Sequence, residues 1–287
     1  MRFARLGPAG SEIPAAIDTD GEVLDLRPIT TDVTGSFLAS DPIGRVQHAR
    51  GAGDLRSVPD ADSLRRGAPV ARPGKVVCIG LNYRDHAAET GADIPTEPIV
   101  FMKDPMTVIG PDDEVLVPRG STKTDWEIEL ALVIGTTARY CDSEEAAATH
   151  IAGYAIANDV SERAFQLERG GQWDKGKSCE TFNPLGPWLV TPAALDDAGL
   201  DPRALSLRLA VNGEVRQDGT TADMIFRPAE IVHYLSQFMV LYPGDVISTG
   251  TPAGVALGSG APYLQAGDVV ELTAEGLGSQ RQTIGAA

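Results

Sequence analysis

A run of ten residues in which apolar and polar side chains alternate sets the strongest limit on how this chain can fold. Residues 125–134 have the sequence DWEIELALVI. Large apolar residues occupy every second position: Ile128, Leu130, Leu132 and Ile134. A period of two is typical of a β-strand with one buried face. The same period places Glu127 and Glu129 together on the opposite face, with Cα atoms roughly 6.5–7 Å apart.

Two adjacent carboxylates on a partly apolar strand face repel each other, and a hard divalent cation with oxygen ligands removes that repulsion. A third acid, Asp159, ends an apolar run of strand type that begins at Gly153. These residues therefore predict one Mg²⁺ or Mn²⁺ ion held by Glu127, Glu129 and Asp159. Simpler explanations stay open, because paired glutamates are common on solvated strands and Asp159 could cap a helix at 161–167.

Strands dominate the rest of the pattern. Short apolar runs of strand length lie at 76–81, 99–102, 245–249 and 269–272. Helix signals occur near residues 142–145 and again from Pro228, where Ile231, Leu235, Phe238 and Met239 are expected to share one face. Because strands outnumber helices and do not alternate with them regularly, we predict a mixed, β-rich α+β fold.

The first part of the chain differs in composition from the remainder. Residues 1–50 contain short β-prone runs cut by turn signals and are expected to form a few hairpins. Residues 51–74 are rich in Gly, Pro, Arg and Asp, which is typical of a linker. We expect a small N-terminal β-rich region with its linker at 1–70, and the main domain at 71–287.

The charge balance limits the classes of partner. Lys and Arg number 24 against 40 Asp and Glu, which gives a net charge of −16. Such a surface repels phosphate backbones and anionic headgroups, so we expect neither a nucleic acid nor a membrane as partner. A small anionic substrate would need a local cation, from Lys, Arg or a metal. Three widely spaced cysteines and no apolar leader at the first residues favour a cytoplasmic location.

A histidine beside two acids is a candidate for proton transfer. If residues 85–89 form a helical turn, His86 and Glu89 lie three positions apart and can touch. A carboxylate that orients an imidazole makes it a general base toward water at neutral pH. The alternative is an ordinary exposed helix, where histidines next to acids are common.

Two loops have the composition of anion-binding segments. Residues 170–178 contain Lys175 and Lys177 in a glycine-rich context, and residues 249–254 follow a strand with glycines that free backbone N–H groups. Either loop could bind a carboxylate, and the second could equally be a tight turn. No P-loop spacing and no helix-opening G-x-G-x-x-G occurs, which disfavours nucleotide cofactors.

Taken together, five ordered motifs resemble the fumarylacetoacetate hydrolase family over roughly residues 73–284. They are Gly80-Leu81-Asn82-Tyr83-x-Asp85-His86-x-x-Glu89, Asp125-Trp126-Glu127-x-Glu129, Asn158-Asp159-Val160-Ser161-x-Arg163, Gly176-Lys177-Ser178 and Thr249-Gly250-Thr251-Pro252-x-Gly254. Five motifs in order are far more specific than any one of them. The segments 171–177 and 186–191 are similar to the branch with 2,4-diketo-3-deoxy-sugar-acid hydrolases and proteins labelled ureidoglycolate lyase.

The resemblance implies a mixed β-roll of this family's type, with a small N-terminal β-rich appendage, and a homodimer. It implies Mg²⁺ or Mn²⁺ bound by the residues that match Glu127, Glu129 and Asp159. His86 and Glu89 correspond to a water-activating pair on a segment that orders over the substrate, and Lys177 to a substrate-facing lysine. The substrate contacts it implies are Tyr83, Arg163, Gln166 and Thr251.

The chemistry that fits these residues is hydrolysis of a C–C bond in a 2,4-dioxo acid, either an acylpyruvate or a 2,4-diketo-3-deoxy sugar acid, to pyruvate and a carboxylic acid. One alternative is an oxaloacetate decarboxylase, which would need the same metal and enolate stabilisation but no activated water. Another is a ureidoglycolate lyase, which would break a C–N bond on a 2-hydroxy acid skeleton. A catalytically idle metal-binding scaffold is a third.

Overall fold

The computed structural model describes residues 1–287 as an assembly of three β-sheets with short helices at their ends and on their faces. The strands are β1 Arg2–Leu6, β2 Ile13–Ile17, β3 Val23–Asp25, β4 Arg56–Ser57, β5 Val76–Gly80, β6 Ile99–Lys103, β7 Val108–Ile109, β8 Val115–Val117, β9 Thr124–Asp125, β10 Ile128–Ile134, β11 Ile151–Asn158, β12 Ser161–Glu162, β13 Asn183–Val190, β14 Ser206–Val211, β15 Glu214–Thr220, β16 Val246–Ser248, β17 Val269–Ala274 and β18 Gly278–Ala286. The α-helices are α1 Gly35–Leu38, α2 Pro42–Ala52, α3 Arg84–Thr90, α4 Glu144–Ala148, α5 Arg163–Leu167, α6 Asp174–Lys177, α7 Pro192–Asp197, α8 Pro228–Ser236 and α9 Ala256–Ser259. The predicted β-rich α+β class is confirmed.

Strand β10 lies inside the largest sheet, whose order is β4-β3-β2-β1-β13-β11-β10-β16-β5-β6 with β7 added beside β13. It pairs antiparallel with β11 on one side and with β16 on the other, and β16 runs parallel to β5. All seven residues of β10 are buried. Both of its faces are therefore covered, which explains the unbroken apolar character of its second half.

The two faces of β10 contribute to different cores. The residues Ile128, Leu130, Leu132 and Ile134 belong to the larger core, which also receives side chains from the five-stranded sheet β15-β14-β17-β18-β8. Ala131 and Val133 belong to a second core that extends to the N-terminal region. Glu129 continues the face of Ala131 and Val133, as period two requires, and it lies opposite Ala157 of β11.

The N-terminal region joins the large sheet directly, because β1 pairs antiparallel with β13. Helix α2 was not predicted among the expected hairpins. Only Val46 and Ala49 of α2 are buried, so its sequence has little helical periodicity, and the helix depends on Asp41, whose side chain accepts from the N–H of Gly44. In the expected linker, Val70 is buried in the second core. The division at residues 70 and 71 stays a prediction.

Both expected helices are present, as α4 and α8. Ile231 and Leu235 of α8 are buried, but Phe238 lies beyond the end of the helix and is 56% exposed, so the prediction that it shares their face was wrong. The chain turns after Ser236, and periodicity cannot be extended past that point. None of the helices has the length and hydropathy needed to cross a bilayer.

Candidate active site

A cavity of about 260 Å³ opens where the end of β5, helix α3, the start of β10, helices α5 and α6 and the loop after β16 meet. It contains most of the residues that the sequence singled out. Those that line it are His86, Glu127, Glu129, Arg163, Gln166, Lys177 and Thr251. The cavity therefore brings together elements that are distant in the chain.

Three carboxylates converge at this site, and two of them, Glu127 and Glu129, line the cavity. One oxygen from each of Glu127, Glu129 and Asp159 lies within 4.8 Å of the others, and all three residues are buried. The predicted strand is interrupted at residues 126 and 127, so Glu129 lies in β10 and Glu127 just before it, but both side chains line the same cavity. Their burial excludes the simpler explanation of a solvated face. Asp159 does not cap the helix that follows, since the cap of α5 is Glu162.

Pairing between β10 and β11 holds the three acids in register. The N–H of Asp159 donates to the carbonyl of Glu127 at 2.9 Å, and the N–H of Glu127 donates to the side-chain oxygen of Asn158 at 3.2 Å. Ala131 and Ala157, the neighbours of Glu129 on its face, have small side chains. The backbone thus fixes the acids side by side, and the alanines leave room for their carboxylates.

Two buried cations compensate part of this charge. The Lys177 ammonium donates to Glu127 Oε2 at 2.6 Å and to Asp159 Oδ2 at 2.7 Å, and the Arg163 guanidinium donates to Glu127 Oε1 at 2.6 Å. Burial opposes ionisation of Glu127, but Lys177 and Arg163 outweigh it and lower its pKa to about 2. Desolvation likewise opposes the charge on Lys177, and the carboxylates of Asp159 and Glu127 raise its pKa nonetheless.

Glu129 lacks such compensation. It forms no ion pair, and its Oε2 accepts one hydrogen bond, from the N–H of Gly250 at 2.8 Å. Burial, together with the neighbouring charges of Asp159 and Glu127, raises the pKa of Glu129 well above the usual value. Ionising all three carboxylates therefore calls for a further positive charge beside Glu129. An all-oxygen donor set with an uncompensated carboxylate fits Mg²⁺ or Mn²⁺.

Helix α3 forms the expected turn and brings His86 Nδ1 to 3.2 Å from Glu89 Oε2. The second oxygen of Glu89 accepts from the N–H of Gly254 at 3.0 Å, and Asp85 accepts from the N–H groups of His86 and Ala253. The helix is thereby fastened to the loop after β16. The glutamate is held from both sides, which fixes the imidazole with its Nε2 free for the cavity.

The structure corrects the prediction for the loop at 249–254. Its N–H groups at Gly250, Ala253 and Gly254 bind carboxylates of the protein itself, namely Glu129, Asp85 and Glu89. Gly250 has a φ of +93°, and a Cβ there would lie 2.8 Å from that of Asn82. Only glycine permits this close approach, so the loop organises the site's acids instead of forming a separate anion site. In the other loop, Lys175 is exposed and only Lys177 enters the cavity.

The four predicted substrate contacts have different surroundings. Gln166 accepts from Arg163 through Oε1 at 3.0 Å, which leaves its amide nitrogen as a donor for the cavity. The Thr251 hydroxyl donates to the carbonyl of Ile128 and accepts from Gln217, both at 2.8 Å. Tyr83 is not brought into the cavity, because its ring is fully buried in the larger core and its hydroxyl has no partner.

Lys103, at the end of β6, is a component of the site that the sequence analysis missed. Its fully buried ammonium donates to Asp159 Oδ1 at 2.5 Å and to the carbonyl of Val160 at 3.0 Å. Each oxygen of Asp159 thus accepts from one lysine, Lys103 or Lys177. The signal in the sequence was a lysine that ends an apolar strand run, which is an unusual place for a solvated cation.

Asp125 begins the second of the five motifs, but the sequence analysis assigned it no role. Its carboxylate accepts from the Arg163 guanidinium at 2.8 Å and from the N–H groups of Trp126, Ala256 and Leu257. It therefore joins α9, β9 and α5, and it presents the guanidinium of Arg163 to Glu127. Because four donors converge on one buried carboxylate, Asp125 positions the site without lining the cavity.

Comparison with known proteins places the whole chain among proteins of one kind. The family model described as fumarylacetoacetate (FAA) hydrolase C-terminal matches residues 75–285. A 2,4-didehydro-3-deoxy-L-rhamnonate hydrolase from Sphingomonas sp. (strain SKA58) is 48% identical over 287 residues, which cover 99% of this chain and 96% of the relative. A fumarylacetoacetate hydrolase structure from Exiguobacterium antarcticum gives a TM-score of 0.83 at 33% identity, with 100% of both chains covered. A maleylpyruvate hydrolase structure from Sphingobium sp. SYK-6 gives 0.80 at 26% identity, again with 100% of both chains covered.

Proposed function

The chain belongs to the fumarylacetoacetate hydrolase family, as its sequence predicted, and we propose that it is a Mg²⁺- or Mn²⁺-dependent hydrolase of 2,4-dioxo acids. The products would be pyruvate and the carboxylic acid derived from the remainder of the substrate, R–COO⁻. The observation that carries the proposal is that one cavity is lined by Glu127 and Glu129, whose carboxylates converge with that of Asp159 behind them, and by the His86 imidazole held by Glu89. A homodimer stays a prediction.

The residues present suit a divalent cation. Glu127, Glu129 and Asp159 would hold it, because their oxygens converge and Glu129 has no positive partner. When bound, the cation supplies positive charge for the 1-carboxylate and 2-oxo oxygens of the substrate and for the enolate that cleavage releases. The Gln166 amide nitrogen faces the same cavity and can donate to the substrate carboxylate, whereas the one hydroxyl proton of Thr251 is already donated to the carbonyl of Ile128.

The His86–Glu89 pair provides the water chemistry. Glu89 accepts from Nδ1 of His86, and Nε2 can then take a proton from water as the water oxygen bonds to carbon 4. Lys177 stabilises the negative charge that develops on the 4-oxygen. The C3–C4 bond then breaks, its electron pair forms the pyruvate enolate, and the enolate takes up at C3 the proton held by His86. The other product leaves as R–COOH and releases its proton to solvent as R–COO⁻, so atoms and charge balance with water as the only co-reactant.

The pair also favours hydrolysis over the alternatives. An oxaloacetate decarboxylase needs enolate stabilisation but no attacking water, and a C–N lyase of the ureidoglycolate type needs no water at a carbonyl carbon. A catalytically idle scaffold would have no use for an imidazole whose carboxylate partner is held by both Gly254 and the ring itself. The hydrolase named among the relatives supports the same choice.

A product-release screen tests the proposal, with pyruvate measured for the 2,4-dioxo acids and oxaloacetate, and glyoxylate measured for ureidoglycolate. The panel contains several 2,4-dioxo acids together with oxaloacetate and ureidoglycolate, each with Mg²⁺, with Mn²⁺ and with EDTA. We expect metal-dependent pyruvate release that is fastest on 2,4-dioxo acids and is lost in Glu127→Gln. Faster turnover of oxaloacetate or ureidoglycolate than of every 2,4-dioxo acid would overturn it.

A further inference from the structure

Polar and apolar side chains both line the cavity, and the mechanism uses only the polar ones. All of the polar side chains except Thr90 and Thr251 hold the acidic triad, contact the substrate or activate water. The Thr90 hydroxyl donates to the carbonyl oxygens of His86 and Ala87 at 2.9 and 3.3 Å. Whatever part of the substrate extends past these groups therefore meets the remaining lining.

Of the eight hydrophobic residues that line the cavity, Ile79 belongs to the larger core and Ala92 has a small side chain. We call the other six the apolar wall: Leu81, Ile99, Phe101, Leu167, Trp173 and Leu257. It begins directly beside the reacting groups, because the Lys177 ammonium lies 5.0 Å from the centroid of the Phe101 ring. Phe101 in turn contacts Trp173 edge to face, with ring centroids 5.5 Å apart. The wall thus extends from the side of Lys177 through Phe101 to Trp173.

Three members of the wall are unusually exposed. Ile99 is 37% exposed, Leu167 46% and Leu257 41%, and they account for three of the nine large apolar side chains that are exposed in the chain. Apolar surface gathered around one cavity is typical of a ligand-binding site. A bound apolar group would remove this surface from water.

The indole of Trp173 packs closely against Gly80. A Cβ at Gly80 would lie 2.7 Å from the six-membered ring of Trp173, so the ring fills the space in which a side chain at position 80 would stand. Gly80 does not need glycine for its backbone, since its φ is not positive. The absence of a side chain at position 80 is therefore explained by the close packing of Trp173 against the end of β5.

We propose that the apolar wall binds the end of the substrate's R group and selects a terminal methyl or alkyl carbon over a hydroxymethyl carbon. This inference rests on the proposed function, because it assigns the part of a 2,4-dioxo acid that lies beyond carbon 4. A terminal hydroxyl pressed against the wall would lose its water without gaining a partner. Apolar pockets reject an added hydroxyl by roughly 10- to 100-fold, and we expect a preference of that size.

The test compares two pairs of compounds, each of which differs by one terminal hydroxyl. The cleavable pair is 5-hydroxy-2,4-dioxohexanoate and 5,6-dihydroxy-2,4-dioxohexanoate, assayed for kcat/KM by pyruvate release. The second pair, 2-oxohexanoate and 6-hydroxy-2-oxohexanoate, lacks the 4-oxo group and is assayed for binding by calorimetry with Mn²⁺. We expect the methyl-ended member to be favoured about 10- to 100-fold in both assays, with the kinetic difference mainly in KM.

Two variants test whether the apolar wall causes the preference for the methyl-ended compounds. Leu257→Asn places an amide in the wall and should reduce the ratio in both assays at least threefold. Met106→Asn makes a similar change at an apolar residue that is 82% exposed and does not line the cavity, and it should leave the ratio unchanged.

The binding pair separates this inference from the proposed function. Equal affinity for the two 2-oxo acids, or no binding of either, would overturn the role of the wall, whatever the turnover results. A retained binding preference with no pyruvate released from any 2,4-dioxo acid would overturn the hydrolase proposal and support the wall. An unchanged ratio in Leu257→Asn would also contradict the wall.

Discussion

Replacing Lys103 by methionine tests whether this lysine is a structural partner of the acidic triad. Methionine has nearly the same length and no charge, so the change removes the ammonium while it keeps most of the packing. Two hydrogen bonds are lost, at 2.5 Å to Asp159 Oδ1 and at 3.0 Å to the carbonyl of Val160. Asp159 keeps Lys177 on its other oxygen, so one oxygen of a fully buried carboxylate is left without a donor.

Removing one member of a buried ion pair typically costs about 3–5 kcal/mol. Because Lys177 still compensates Asp159, we expect the lower end, about 3 kcal/mol. At roughly 2–4 °C per kcal/mol for a chain of this size, the melting temperature of metal-free protein should fall by about 6–12 °C. The double variant Lys103→Met/Asp159→Asn should recover part of the loss, since the unpaired charge is gone.

Thermal and urea unfolding in EDTA measure the effect, with Lys175→Met as the matched control. Lys175 is an exposed lysine whose ammonium contacts only the carbonyl of Arg169, so the control should change the melting temperature by less than about 2 °C. Equal melting temperatures for Lys103→Met and wild type would show that Lys103 does not stabilise the buried carboxylate of Asp159. So would a double variant less stable than Lys103→Met, because it would show that the carboxylate was not the unpaired group.

Three further predictions concern the same cavity. The raised pKa of Glu129 means that its proton contributes stability that is complete below the unfolded value of about 4.3 and is lost as pH rises through the folded pKa. In EDTA, wild type should therefore lose melting temperature with rising pH relative to Glu129→Gln, and a parallel course for both proteins would contradict this. His86→Ala should lose C–C hydrolysis by about 10²–10⁴ while Mn²⁺ affinity measured by calorimetry stays near wild type; equal loss of any oxaloacetate decarboxylation would assign the histidine to substrate binding instead. The segment 83–96, with little apolar surface of its own, should show slower hydrogen exchange when oxalate and Mg²⁺ bind, and unchanged exchange would argue against closure over the substrate.

The acidic triad could be predicted because its geometry is local. A period of two suffices to put Glu127 and Glu129 on one face. Asp159 lies close to them because it directly follows β11, the strand that pairs with β10. The turn that joins His86 to Glu89 is equally local, since it depends on three residues of spacing. In each case the interacting residues are fixed relative to each other by one element or one strand pair.

The role of Lys103 could not be predicted, because the residues that it contacts are distant in the sequence. Its partner Asp159 is 56 residues away, and they meet only because β6, β5, β16, β10 and β11 follow one another in the sheet. A sequence pattern contains no information on that strand order. The loop N–H groups at 250–254 are a similar case: the glycines indicated free donors, but only the fold shows that the protein's own carboxylates accept from them.

Helix α2 and Tyr83 show two other limits. The helix has only two buried residues, so its apolar pattern is too sparse for periodicity to detect. Tyr83 lies next to α3 in the chain, but the backbone at that point turns its ring into the larger core, away from the cavity. Adjacency in a motif does not determine the direction of a side chain.

If this cavity performs metal-dependent hydrolysis of a C–C bond, the identity of both products follows from the substrate, so product analysis is the decisive measurement. The simplest substrate is 2,4-dioxopentanoate. Proton NMR follows its organic products in three samples: wild type with Mg²⁺, wild type with EDTA, and Glu129→Gln with Mg²⁺. We predict pyruvate and acetate in equal amounts with Mg²⁺ and neither product in the other two samples. Loss of CO₂ from the substrate, or the same two products at the same rate in EDTA, would contradict the account.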